Sequence, residues 1–421
     1  MWLLVALAAA VISIVTRDLL PQNWWTTIHL VTLGVLTNGI LQWSWYFARG
    51  LLRLEPHNKR AGRDAVIRSV IFNVALAGLV TAMWVGASVA TVTLATVIGL
   101  VVAWHGLAIV LASREALAGK HAPLVRYYVG ASALFVVGCA VAGLLTVALL
   151  DPQAPAWLTA ARDQLTLAHA VIMVGGWVGL SIAGTLVTLG PTVLRTRMEP
   201  DASATAIRAV PWLVGAISAA GVAAACGWMI VTGVLFAAYC SGLALWVGLP
   251  LVRVALAKGL REHAAWTLMG GVAWSGVGMA VVAALMFRAA DATAARDVIM
   301  SWIPVLGVAG PAQIFIGALT YLLPVVVGGG PATVRLGIAT LEVASALRLT
   351  VRTLALAMLA FTTGVGSPAR WAWWGLIALT FAADVVLMAI AGVRQARARR
   401  EPGGAVPLAG PSLGMRPESS P

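Results

Sequence analysis

Histidines carry most of the chemistry on offer in this chain of 421 residues. His29, His105 and His169 stand inside apolar runs, and an ionisable side chain at membrane depth marks a functional position by default. At 1.5 Å per residue, His29 and His169 fall within about one helical turn of the same depth, each just inside the same end of its run. His105 lies roughly 25 Å from that face and belongs to a different place. His57, His121 and His263 fall between runs and are expected to be solvated. Two neutral imidazoles at one level on separate helices suit haem iron or copper. The plain alternative is that each ring hydrogen-bonds a neighbouring helix. The residues leave both readings open, and two histidines do not choose a metal.

Other polar groups at depth are Asn38, Asn73, Gln313, Tyr321 and Asp384. Asn38 and Gln313 read as hydrogen-bond partners across helices, worth about 1 kcal/mol or less. Asp384 is dearer to bury and needs a partner or a shifted pKa; pairing with an Arg is favoured over a place in a proton path. Gly175 and Gly179 have the spacing that lets helices approach closely. The sequence offers no carboxylate pair on a helix, no Gly-rich phosphate loop after a strand and no Ser-His-Asp set. Cys139, Cys226 and Cys240 sit in apolar runs, with no CxxC pair, and read as buried, inert thiols.

The elements that position these residues follow from composition. The chain is 61% hydrophobic and 10% charged, against roughly 25% charged in an ordinary soluble domain. The expected class is therefore all-α: a polytopic bundle of about twelve transmembrane helices, each needing roughly 20 apolar residues. The runs fall near 2–20, 27–49, 66–86, 88–112, 126–150, 164–190, 208–232, 234–254, 265–288, 299–327, 346–366 and 370–393. The transmembrane domain is read as 1–393, with a basic, then Pro-, Gly- and Ser-rich tail over 394–421 expected to be disordered. The first run lacks a basic leader and a clear cleavage site, and is taken as a helix rather than a signal peptide.

A net charge of +13 does not point to nucleic acid here. The bases recur in loops at every second helix end: Arg49, Arg53 and Lys59; Arg114, Lys120 and Arg126; Arg195 and Arg197; Arg253, Lys258 and Arg261; Arg335, Arg348 and Arg352; then Arg394 onward. Basic loops stay on the cytoplasmic side, so both termini are expected there, in the inner membrane of a GC-rich bacterium. Trp24 and Trp25 at one end of the second helix, and Trp43 and Trp45 near the other, are expected to anchor at the two interfaces. The stretch 331–352 is less apolar and is read as an interfacial helix leading into the eleventh span.

An internal echo accompanies the topology. The segments Gly184-Thr-Leu-Val-Thr-Leu-Gly-Pro191 and Gly317-Ala-Leu-Thr-Tyr-Leu-Leu-Pro324 share the pattern G-x-L-x-x-L-x-P. A weaker match sets His29 and Gly34 against His169 and Gly175. The three helices are four apart, which points to four-helix units around a pseudo-threefold axis, although a sequence rich in Gly and Leu can produce such matches by chance.

These same segments, His29 through Asn38, His169 through Arg195, and Gln313 through Pro331, resemble actinobacterial membrane proteins of the NnrS and haem–copper oxidase subunit I superfamily. The resemblance covers about 30–360. It implies a twelve-helix bundle with pseudo-threefold symmetry, haem or copper held by His29 and His169, and a role near respiration or nitrogen-oxide metabolism. It also implies a copper oxidase or electron-transfer partner, since relatives are sometimes fused to such domains. The chain departs from that pattern at Tyr46, Val171 and Trp302, where further histidines are expected, so a complete dioxygen-reducing centre is excluded. The competing readings are a cofactor-free scaffold for another membrane complex and a transporter; no inverted repeat or broken helix supports the latter.

Overall fold

The computed structural model describes Val5 and residues 21–54, 59–115, 119–363 and 368–400. Among these residues every regular element is helical and there is no strand. That is the expected outcome for runs this apolar, because a chain in hydrocarbon has to satisfy its backbone within its own helix. The elements are α1 (23–51), α2 (Lys59–Trp84), α3 (Ser88–Glu115), α4 (Arg126–Leu150), the short α5 (Ala156–Ala160) and α6 (Arg162–Val193). They continue with α7 (Ala202–Ala225), α8 (Met229–Lys258), α9 (His263–Arg288), α10 (Ala292–Val327), α11 (Pro331–Leu341), α12 (Ser345–Phe361) and α13 (Ala369–Ala398).

Nine of the described helices are long and apolar enough to cross a bilayer, or ten if α11 and α12, bent by 45° at their junction, form one span. The chain is thus a multi-pass membrane protein by length and composition. The run expected at 2–20 lies outside the described residues apart from Val5. Helix α1 is 29 residues long but is not among the nine, because His29, Asn38 and Gln42 interrupt its apolar run. Outward faces support the assignment: Val66, Val70 and Val74, four residues apart on α2, are 62%, 55% and 68% exposed. Apolar side chains in register on an open face are what lipid contact requires.

Among the described residues, those up to 260 together with 272–311 form one compact unit, and 261–271 with those from 312 onward form a second. In the first unit α3 packs along both α2 and α4, α7 along α8, and α4 against the middle of α6. Trp45 and Ala48 of α1, and Leu52 just after it, share one buried cluster with Ile109, Val125 and Tyr128. Trp45 is therefore a core residue at 9% exposure, which corrects its expected place in an interfacial belt, whereas Trp24 is 43% exposed. Close approach follows the glycines of α6. A Cβ on Gly175 would stand 2.5 Å from Ile217 of α7, and one on Gly179 2.7 Å from the Tyr239 hydroxyl of α8. In the second unit α13 packs against α11, α12 and the 313–327 half of α10, where a Cβ on Gly317 would lie 2.6 Å from the backbone nitrogen of Leu268.

Several expected boundaries move. Helices α2, α7 and α10 start six or seven residues before the runs expected at 66, 208 and 299, because the polar residues ahead of each run are helical too. Helix α13 continues through Ala398, so residues 394–398 are not part of an irregular tail; 401–421 lie outside the described residues. The interfacial helix expected at 331–352 is instead two helices, broken where Ala344 takes a left-handed conformation at φ 52°. Cys226 is exposed rather than buried, at the turn between α7 and α8; Cys240 is buried and Cys139 partly so.

Among the described residues four helices contain a π-helical stretch: α1 at Leu30–Thr37, α6 at Val171–Gly179, α8 at Ala244–Gly248 and α10 at Val308–Ala312. A π turn carries one extra residue and recurs at functional positions in helices.

Candidate functional site

Helices α1 and α6 each carry a histidine just ahead of a π stretch: His29 directly before Leu30, and His169 two residues before Val171. Both helices are pinned at the end that bears it. Near the start of α1, Trp84 Nε1 donates to Thr26 Oγ1 at 2.9 Å, and Thr26 Oγ1 donates to the Pro21 carbonyl at 2.8 Å. At the start of α6, Asp163 pairs with Arg296 of α10 and accepts from Thr293 Oγ1 at 2.8 Å. Deeper in, the two π stretches are joined directly: Trp177 Nε1 donates to Thr37 Oγ1 at 3.0 Å, and Thr37 Oγ1 donates to the Thr32 carbonyl five residues back. Tyr239 of α8 donates to the Gly175 carbonyl at 2.6 Å. The widened turns expose backbone carbonyls that ordinary α turns would consume, and neighbouring side chains occupy them.

This frame brings His29 and His169 together. Their ring centroids are 6.4 Å apart, with planes inclined by 24°. His29 Nδ1–H donates to the Trp25 carbonyl at 2.8 Å, and His169 Nδ1–H donates to the Gly138 carbonyl of α4 at 3.0 Å. A carbonyl can only accept, so both Nδ1 atoms carry the proton and both Nε2 atoms keep a lone pair when the rings are neutral. Anchoring one ring nitrogen on a carbonyl is how a ligating histidine is oriented. Trp25 stacks on His29 with centroids 4.2 Å apart, so it is a wall of this site. Both imidazoles are half-buried. Val171 is buried and Tyr46 is 54% exposed. Among the described residues no group of three or more His, Cys, Asp or Glu is placed to hold a metal ion, so any centre here rests on the two imidazoles.

The remaining histidines separate from this pair. His105 is 1% exposed and its Nε2 lies 2.9 Å from Ser44 Oγ, so it is a buried histidine with a partner on α1. His121 is half-buried, with Nδ1 2.8 Å from Ser203 Oγ. Burial, then the neighbouring Lys120, lowers its pKa from the ordinary 6.5. His57 lies outside the described residues.

His263 overturns the expectation of a solvated loop residue. It opens α9 with no exposed surface. Its backbone N–H donates to Glu342 Oε1 at 2.8 Å, and its Nδ1 lies 3.1 Å from Ser345 Oγ. Its Nε2 lies 3.1 Å from both Asp384 Oδ1 and Arg348 Nη1. Asp384, 1% exposed, also accepts from Arg348 and from Arg352. Arg352 is fully buried, bonded to Thr380 and 4.2 Å above the Phe381 ring. The partner expected for Asp384 is therefore present, as two arginines and a histidine. The signal for His263 was its position four residues before Thr267, in register with the buried face of α9, but a loop reading of 261–264 concealed it.

Of the other polar residues singled out, Asn73 Nδ2 donates across helices to Asn38 Oδ1 at 3.0 Å, and Gln313 is buried at 3% exposure. No protein-family model matches the chain, and no curated protein and no solved structure shows significant similarity to it.

Proposed function

We propose that this chain is a multi-pass protein of a bacterial inner membrane that holds one haem or copper centre between His29 and His169, in service of electron transfer or nitrogen-oxide handling. The observation that carries this reading is the pair itself: two rings from different helices, 6.4 Å apart, each with Nδ1 committed to a carbonyl. Each imidazole keeps a lone pair on Nε2, the donor type that haem iron and copper take, so the two residues match the group in their chemistry. His29 and His169 would hold the haem or copper ion through those two nitrogens. Such a centre supplies one-electron chemistry when bound. The chain's own part is to fix each ring's tautomer, to hold His29 against Trp25, and to keep α1 and α6 in register through Trp177 and Thr37. Tyr46, Val171 and Trp302 add no ligand, so dioxygen reduction is not part of the proposal.

The topology belongs to the same reading. Counting α1, the 2–20 run and α11 with α12 as one span gives twelve, with the Arg-rich loops and both termini in the cytoplasm. The π stretches of α1, α6 and α10 support pseudo-threefold units, since they fall in the helices that carry the sequence echo. A copper oxidase or other electron-transfer protein is the partner this role requires.

Purified protein in mild detergent decides the matter by absorbance spectrum and by iron and copper mass spectrometry. One equivalent of either metal, lost in His29→Ala and in His169→Ala, is the expected result. A second reading, a cofactor-free scaffold, is favoured by the lack of a third ligand among the described residues. It predicts neither band nor metal in the wild type.

A further inference from the structure

Arg68 lies on α2 nine residues from Lys59, about 14 Å into the helix from its Arg-rich end. It is 4% exposed. Its guanidinium carbon sits 5.1 Å from the Trp45 ring centre and 5.4 Å from that of Trp104, between α1 and α3. Among the described residues, two buried donors in this place have no acceptor: Arg68 Nη2 and Trp45 Nε1. Both groups can only donate. A buried donor left unpaired is costly, and a cation more so. The nearby ionisable groups supply little compensation. Asp64, one turn earlier on α2, is shared with the exposed Arg63 at 3.8 Å, and His105 is engaged with Ser44. What is missing is an acceptor, and beside a guanidinium the matching acceptor is an anion. Trp104 is 37% exposed, so the outer wall of the place stands on an open face. That depth, beside loops dense in Arg, is where lipid phosphates gather.

We infer that Arg68 and Trp45 form a phosphate-binding site that takes the headgroup of an anionic lipid, with Trp104 as its outer wall. The site is independent of the histidine pair: Trp45 is sixteen residues from His29 on the same helix, about 24 Å away. Arg68 supplies charge and the planar donor fork, and the Trp45 indole adds a second, neutral donor from the other helix.

The test is native mass spectrometry of the full-length protein in detergent, titrated with phosphatidylglycerol and, separately, with inorganic phosphate. Wild type should retain one phosphatidylglycerol at a concentration about tenfold lower than Arg68→Gln, the usual size of a charge-assisted pair. Trp45→Phe keeps the ring and removes the N–H, and should weaken retention several-fold. This variant decides the matter if Arg68→Gln does not fold. Phosphate adducts that depend on Arg68, without lipid retention, would uphold the anion site and make free phosphate its source. Lipid and phosphate uptake unchanged in both variants would overturn the inference and leave an ordered water as the acceptor.

Discussion

Replacing Asp384 by Asn strands two buried guanidinium groups at once. Asp384 is 1% exposed and accepts from Arg348 and Arg352, which are 6% and 0% exposed. At a separation of about 4 Å and an effective dielectric near 20, one such pair interacts by about 4 kcal/mol. The desolvation of three charges offsets much of the two pairs together, so the net worth of the cluster is modest. Removing one member is a different perturbation, because the charges that remain stay buried without a counter-ion. Losses of about 3–5 kcal/mol are typical of that case. Asp384→Asn is therefore expected to lower the thermal midpoint sharply, measured by fluorescence-detected size exclusion of heated protein in detergent. Asp384→Asn combined with Arg352→Gln should lose less than the sum of the single changes, since the second change removes a charge that the first has orphaned. An unchanged midpoint in Asp384→Asn, or strictly additive losses in the pair, would refute the account of a mutually dependent buried cluster.

Other outcomes follow from the same structure. Gly317→Val should destabilise the second unit by about 1–3 kcal/mol, read as a lower midpoint, because the new side chain meets the Leu268 backbone and not a movable side-chain tip. Ser44→Ala leaves the buried His105 without its partner and should cost about 1–3 kcal/mol in the same assay. Trp177→Phe removes the bond to Thr37 and should cost about 1 kcal/mol while lowering metal retention, read by mass spectrometry after dialysis. His121 has a folded pKa below 6.5, so the unfolded chain binds protons first. Its share of stability is complete above that value and is lost as pH falls through the folded pKa. His121→Gln should flatten stability across that range in a pH series of melts.

The membrane-spanning character of the chain was legible because it rests on composition and run length, which tertiary contacts do not alter. Helix starts were less legible. The sequence 292–298, Ala-Thr-Ala-Ala-Arg-Asp-Val, has no apolar run, yet it is helical, capped by the Asp291 side chain accepting from Ala294 N at 2.8 Å. Burial of individual residues was least legible. By position Trp45 looks interfacial and His263 looks like a solvated loop residue, but each faces a partner from another part of the sequence that no local pattern announces. The shared level of His29 and His169 was accessible from depth, because equal offsets along two spans lie at equal heights, but which way each ring faces was not. The carbonyls that orient the rings were not, since the Gly138 carbonyl comes from α4, and π turns leave no reliable mark in a run of Val, Leu and Gly.

The π stretch of α6 has a further consequence for insertions and deletions. A π turn takes up one extra residue while the helix on either side keeps nearly the same register. Removing a single residue between Val171 and Gly179 would therefore let the segment close into regular α geometry with His169 still roughly opposite His29. What would go is the wide turn's open carbonyls, among them the Gly175 carbonyl that the Tyr239 hydroxyl occupies. A further residue inserted there and held in α geometry would instead turn everything toward His169 by about 100° relative to everything toward Pro191.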